Sequence, residues 1–294
     1  MDDDALIQDI RTTFPHFAVR HYRALGEGWM SRALLVNDTH VFRFAKLPEA
    51  SADLLKEAAL LPAIAERVEL EIPRFELVGR QRSGLVFVAY PVVGGEALEE
   101  EQWPELPAGG ATVARQLATF MNALNEVPIT LAEKAGLTPH DHRVDAEQQR
   151  RALESFLPEL PTTVQCYVSR RFAEFLATDS YFQRAARLIH ADLSPDHLLF
   201  DAARERLRGV IDFGDLRLAD PDYEYVYVLE DLGADFTARV MTERGERDVP
   251  ALLRKVSYWV TFDHVHSILA GLERREDSFV AEGVAALSAE ASSG

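Results

Sequence analysis

His190-Ala191-Asp192-Leu193-Ser194-Pro195-Asp196-His197, followed fifteen residues later by Asp212-Phe213-Gly214-Asp215, is the stretch that decides how this chain is read. Phosphoryl transfer needs a carboxylate to accept the proton of an attacking hydroxyl. It also needs oxygen or nitrogen ligands that hold Mg2+ against the moving phosphate. Asp192 can fill the first place, and His197 and Asp212 the others. Apolar, β-rich runs at 185–189 and 207–211 lead into this stretch, and the second ends directly on Asp212. Both carboxylates are therefore expected at strand ends, where a loop can present them on a rigid base.

Working outward, the chain has 294 residues, enough for two domains of ordinary size and a substantial core. Apolar residues make up 47% and charged residues 27%, the balance of a soluble globular protein, and no apolar run reaches the roughly 18 residues that suggest a membrane span. The N-terminus, Met1-Asp2-Asp3-Asp4, is acidic where a secretory signal would be basic, so a cytoplasmic location is expected. Cys166 is the single cysteine and has no partner for a disulfide. The net charge of −17 repels nucleic-acid phosphates and anionic membranes and attracts polycations. That excess is concentrated near the motif: residues 192–235 hold twelve acids against four arginines. A solvated acidic face accounts for part of it.

The first hundred residues alternate strand-like and helical patterns. Runs at 17–24, 32–37, 41–45, 75–78 and 85–90 read as strands, and 50–67 carries Leu54, Leu55, Ala58, Leu61 and Ile64 at helical spacing. Proline and paired glycine interrupt both periodicities at 91–95, and the pattern beyond is mostly helical: 111–127, 144–156, 163–177, 223–232, 249–272 and 278–291. The fold class expected is α+β, with a small antiparallel sheet and one main helix over residues 1–92 and a larger, mostly helical part over 93–294.

Gly26-x-Gly28, ahead of Ser31, lets backbone N–H groups approach a triphosphate, although two nearby glycines also serve as a plain hairpin turn. Arg43 lies in the apolar strand Val41-Phe42-Arg43-Phe44 and needs a partner if it points inward, for which Glu57 on the next helix is suited. Lys46 is the competing basic residue. The spacing of His190, Asp192 and His197 also suits zinc, but the lone cysteine is remote and no third histidine is close.

HADLSPDHLLFD at 190–201 and GVIDFGDLRLADPDYEYVYVLED at 209–231 resemble the aminoglycoside phosphotransferase and choline-kinase-like superfamily, and most of all the aminoglycoside 2″-phosphotransferases. The resemblance implies a two-lobed protein-kinase-like fold with Asp192 as catalytic base. It implies that His197 and Asp212 bind Mg2+, the histidine standing where relatives more often carry asparagine. Gly26, Gly28 and Ser31 would cover the phosphates of ATP or GTP, Arg43 would contact them while paired with Glu57, and the backbone from Tyr90 to Val93 would read the purine. Asp215, Glu230 and Asp263 would meet the ammonium groups of a cationic acceptor, with Trp259 as a wall or as an ordinary core residue. Asp215 runs within a few residues into Asp220-Pro221-Asp222, leaving no room for a long activation loop, so a protein substrate is not expected. The function expected is a small-molecule kinase acting on an aminoglycoside. The same fold also serves a macrolide, an amino alcohol, a sugar metabolite or a non-catalytic binding module.

Overall fold

The structure is a computed structural model that describes residues 2–99 and 102–293. In chain order its first elements are α1 (Asp3–Thr13), β1 (Tyr22–Glu27), β2 (Ser31–Val36), β3 (His40–Ala45), α2 (Pro48–Ala65), β4 (Leu77–Arg80) and β5 (Val86–Pro91). There follow β6 (Glu96–Ala97), α3 (Ala111–Asn125), α4 (Ile129–Lys134), α5 (His142–Leu153) and α6 (Thr162–Ala177). The remainder comprises β7 (Arg187–Ile189), β8 (Leu198–Asp201), β9 (Arg206–Val210), β10 (Arg217–Ala219), α7 (Val226–Glu243), α8 (Val249–Arg274) and α9 (Asp277–Ser293). They form two compact units, each made of two chain segments. The first holds Met1–Thr138 with Pro195–Leu216, and the second holds Pro139–Ser194 with Arg217–Gly294. The expected boundary at residue 92 falls instead at the end of the first unit's main sheet.

In the first unit, five antiparallel strands run in the order β1-β2-β3-β5-β4. Asn37 and Asp38, at φ 56° and 58°, make the tight primed turn between β2 and β3. Phe42, Phe44 and Phe87 from one sheet face meet Leu6, Ile7 and Ile10 of α1 in a fully apolar core. Helix α1 was not expected from the sequence. Asp2 caps it by accepting from the Asp4 N–H, and Asp3 and Asp4 suit the positive end of its dipole, so the acidic start is a helix start. The strand expected at 17–24 begins only at Tyr22. Before it, the Asn37 side chain accepts from the Arg20 N–H and donates to the Ala18 carbonyl, taking the place of a strand neighbour.

Helix α2 opens with Pro48, whose missing N–H costs nothing in a first turn. Its buried stripe runs Ala50, Leu54, Glu57, Leu61 and Ile64, which puts a carboxylate on the inward face. A three-stranded sheet, β6-β8-β9, and the helices α3 and α4 also belong to this unit.

The second unit pairs β7 with β10 and is otherwise helical. Its core stacks Phe172 of α6 on Phe262 of α8 at 4.3 Å, with Phe175 edge-on to Phe262 at 5.1 Å. The helix expected at 223–232 starts at Val226 and continues to Glu243 through a kink at Gly233, where φ is 78°. Thr237 donates to the Val228 and Gly233 carbonyls and so knits the two halves together. Among the described residues no helix is long and apolar enough to cross a membrane.

Candidate active site

In the first unit, strand alternation sends Phe42 and Phe44 into the aromatic core and Arg43 to the opposite face. There the Arg43 guanidinium donates to both oxygens of Glu57, at 3.0 and 3.3 Å, and through Nη2 to Asp212 Oδ1 at 2.9 Å. Glu57 is fully buried. Burial pushes its carboxyl up to about 7, and the charge of Arg43 pulls against that rise. For Arg43, burial opposes the charge, but Glu57 and Asp212 outweigh it and hold the guanidinium more firmly protonated.

Asp212 ends the run from β9 with its backbone in the left-handed region, φ 59°, a conformation that costs a non-glycine residue roughly 1 kcal/mol or more. The neighbouring Gly214 N–H donates to its Oδ1 at 3.4 Å. Its side chain remains 43% exposed, and Oδ2 stands 3.9 Å from His197 Nε2. His197 closes the short helix Pro195–His197 just before β8, and its carbonyl accepts from the Ile211 N–H at 3.0 Å.

His197 Nε2 and Asp212 Oδ2 are the atoms that could hold a metal ion here, and their 3.9 Å lies between the roughly 3.0 Å of adjacent and the roughly 4.2 Å of opposite ligands on an octahedral Mg2+, so a small side-chain rotation would bring them onto adjacent positions. Among the described residues no group of three or more His, Cys, Asp or Glu could cage a metal. Mg2+ does not require one, since it commonly takes one or two protein ligands and completes its shell with phosphate and water.

The glycine turn joins β1 to β2, with the Gly28 N–H donating to the Ser31 carbonyl at 2.9 Å. A Cβ at Gly26 would meet nothing within 4 Å, and one at Gly28 only the Ser31 oxygen at 3.9 Å. Neither glycine is demanded by the chain's own packing. The two basic candidates separate here. Arg43 serves Glu57 and Asp212, while Lys46 braces the turn through Glu27 at 2.9 Å and the Gly28 carbonyl at 3.0 Å. Tyr90 is buried and stacks on Phe75 at 5.6 Å, and Val93 is buried three residues on.

In the second unit, Asp192 is half-buried in the turn after β7. Ala191 before it has φ 69°. Sequence reasoning missed the residue that holds this turn, Glu224. Its buried carboxylate accepts from the His190 N–H at 3.1 and 3.0 Å, and the Ala191 N–H also bonds to it. Burial pushes Glu224 up to about 7, against Arg244 and those two N–H groups. The available signal was Asp220-Pro221, a cap and first-turn proline that start the short helix Pro221–Tyr225 and turn Glu224 inward.

Of the expected acceptor residues, Asp215 is exposed in the first unit, and the other three lie in the second. Glu230 on α7 is pushed up to about 8 by burial and by the charges of Asp263, Asp231 and Glu290. His264 Nδ1 stands 3.5 Å from it. Asp263 accepts from the Tyr227 hydroxyl at 3.5 Å, and burial raises its carboxyl too. Trp259, one turn earlier on α8, is 3% exposed. Its ring lies 5.0 Å from Lys255 Nζ and 4.8 Å from His142, so within the chain its cation partner is Lys255.

The family model for the phosphotransferase enzyme family (APH) matches residues 21–259. The chain is 29% identical over 196 residues to the aminoglycoside 3′-phosphotransferase of Streptomyces fradiae, covering 65% of this chain and 69% of that one. Among solved structures, it is similar to the GDP and kanamycin complex of APH(2″)-IIIa, with TM-score 0.93, 38% identity and 98% of each chain covered. It is likewise similar to the GDP complex of wild-type aminoglycoside 2′-phosphotransferase-IIIa, with TM-score 0.96, 37% identity, and 100% of this chain and 99% of that one covered. The five-stranded sheet and the helical remainder are those of this kinase-like fold.

Proposed function

The chain belongs to the phosphotransferase enzyme family, and from that premise we propose that it transfers the γ-phosphoryl group of ATP or GTP to a hydroxyl of an aminoglycoside. The observation that carries the reading is the ion cluster of the first unit. Arg43 is bound to Glu57 and Asp212 at once, with His197 Nε2 3.9 Å from the other oxygen of the same aspartate. A guanidinium fixed between two carboxylates supplies directed charge for phosphate oxygens. His197 and Asp212 would hold Mg2+, which when bound offsets charge on the donor's phosphates.

Each remaining residue has one role in this reading. Asp192 orients the acceptor hydroxyl and takes its proton, and Glu224 fixes the peptide that carries it. Gly26, Gly28 and Ser31 cover the phosphates, the missing side chains at 26 and 28 letting the turn come close, which fits glycines that internal packing does not require. The backbone from Tyr90 to Val93 reads the purine. Asp215, Glu230 and Asp263 take the ammonium groups of the acceptor, and Trp259 backs them from the core. Glu230 favours this assignment, because an arriving ammonium restores the charge that burial suppresses. A nucleoside triphosphate donor places the enzyme in the cytoplasm, and the net charge of −17 disfavours nucleic acid and anionic membranes as partners.

The test is a screen of phosphate transfer from ATP and GTP to aminoglycosides, macrolides and small amino alcohols. Transfer to aminoglycosides is expected, and Asp192→Asn should lower kcat by roughly 10²- to 10⁴-fold with nucleotide affinity kept. Transfer confined to a neutral acceptor, or an Asn variant with full turnover, would sink the assignment.

A further inference from the structure

The segment leaving β5 is fastened to the rest of the first unit in a way the proposed roles leave unexplained. Its near end is tied to the hairpin, where the Val92 N–H donates to the Thr39 carbonyl at 2.9 Å. Its far end is seated on β8 and β9. Glu96 and Ala97 pair with Phe200 and Leu199, and a Cβ at Gly95, whose φ is +103°, would stand 3.0 Å from the Phe200 carbonyl. On β9, a Cβ at Gly209 would stand 2.4 Å from Val93 Cγ1 and 2.8 Å from the Glu71 carbonyl oxygen. Real contacts do not come that close, so glycine at 209 is what lets Val93 lie flat against the strand.

Glu71 locks the arrangement from a third part of the chain. Its main chain pairs with β9, N–H to the Arg208 carbonyl and carbonyl to the Val210 N–H, both at 2.9 Å. Its carboxylate accepts from the Gly94 N–H at 3.2 Å and from Arg208 Nε at 3.2 Å. Glu71 thus holds the segment and the strand together, and the same strand leads two residues later to Asp212.

We propose that Glu71 and Gly209 position the nucleotide base, by docking residues 91–95 on the strand that delivers Asp212 and so fixing base-reading backbone and phosphate-side carboxylate in one piece. This rests on the reading in which Tyr90 to Val93 contact the purine. Its consequence is separable from phosphate chemistry. Loosening the dock should cost the base its grip and leave the phosphate subsite intact.

The experiment uses the full-length enzyme with two partial ligands, a phosphate-free purine nucleoside for the base and inorganic tripolyphosphate with Mg2+ for the phosphates. Gly209→Ala forces Val93 off the strand. We expect nucleoside affinity and the KM for the nucleotide to worsen by about 10-fold, while tripolyphosphate inhibition and the acceptor KM change less than 2-fold. Glu71→Gln, which keeps the main-chain pairing and weakens a half-exposed ion pair, should give about 2- to 3-fold in the same direction. The exchange Glu71→Arg with Arg208→Glu should recover part of that loss. Should Gly209→Ala fail to fold, the Glu71 series carries the test.

Equal weakening of nucleoside and tripolyphosphate would mean general disruption and overturn the proposal, as would unchanged nucleoside affinity in both variants. Failure of the underlying reading looks different. In the wild type, nucleoside binding should slow hydrogen exchange at the amides of residues 92–95. Binding without that protection would remove the base from the segment, whatever the variants do.

Discussion

Each compact unit contains a cation held by two carboxylates, and the difference between the two clusters that bears on function is their access to solvent. In the first unit Arg43 joins Glu57 and Asp212 at 3.0 and 2.9 Å. In the second, Lys255 joins Asp220 and Asp222 at 2.6 and 2.8 Å, and Arg184 Nη1 stands in an ion pair with Asp222 Oδ1 at 2.7 Å. The second cluster is closed, with the side chains of Lys255, Asp220 and Asp222 6%, 7% and 3% exposed. Burial, then the charge of Asp222, raises the Asp220 carboxyl, and Lys255 restrains the rise. That cluster spends its charge on itself and fastens α8 to the turn beneath it. In the first, Glu57 is sealed but Asp212 is 43% exposed. One member is thus left facing outward on strained backbone, where an incoming ligand can share it. A buried ion pair alone is weak evidence of function, and partial exposure is what separates these two.

The most severe way to break the comparison is Lys255→Met. It removes the cation that two buried carboxylates share, leaving Asp222 only Arg184, and should cost about 3–5 kcal/mol, read as a large drop in Tm with no ligand present. A stable Met variant would show that the closed cluster is not structural. Next, Asp212→Asn should lower kcat/KM by roughly 10²- to 10³-fold while stability changes by less than about 1 kcal/mol, measured by kinetics and calorimetry on the same preparation. A stability loss as large as that of Lys255→Met would erase the distinction.

Glu224 sharpens the comparison through pH. Its folded-state value of about 7 lies above the 4.5 of an ordinary glutamate, so the folded chain binds the extra proton and stability falls as pH rises through that window. Gln mimics the protonated form at every pH. The Tm of Glu224→Gln relative to wild type should therefore improve between pH 5 and pH 8, by the equivalent of about 2 kcal/mol. A pH-independent difference would refute the shift. The smallest effect is expected of Arg43→Lys. It keeps the charge but cannot donate to Glu57 and Asp212 as a fork, and it should raise the KM for the nucleotide by about 5- to 10-fold, or roughly 1 kcal/mol.

Much of the fold was legible because burial follows short periods. The stripe of Leu54, Leu61 and Ile64 marked α2, the alternation around Phe42 and Phe44 marked β3, and the ion pair of Arg43 with Glu57 followed from placing those two patterns side by side. Helix α1 was hidden because its three buried apolar residues, Leu6, Ile7 and Ile10, sit among acids that read as a solvated terminus. The far half of α7 was hidden by Gly233, which breaks the period without ending the helix. Glu224 was one acid among twelve in its stretch and is buried there together with Asp220 and Asp222, so what singles it out is its bonds to the His190 N–H, a contact thirty-four residues back in the chain. Gly209 carries no local signal at all, since its need for glycine comes from Val93 and Glu71, more than a hundred residues away.

The interleaving of the two units bears on how the molecule is made. Residues 1–138 lack β8, β9 and the carbonyl and amide partners of Glu71 and Gln116 until residues 195–216 are synthesised. The intervening 56 residues, 139–194, belong to the other unit. At roughly 5–20 residues per second that is a wait of about 3–11 s with an unfinished sheet edge on the ribosome. A nascent chain in that interval is where a chaperone would engage.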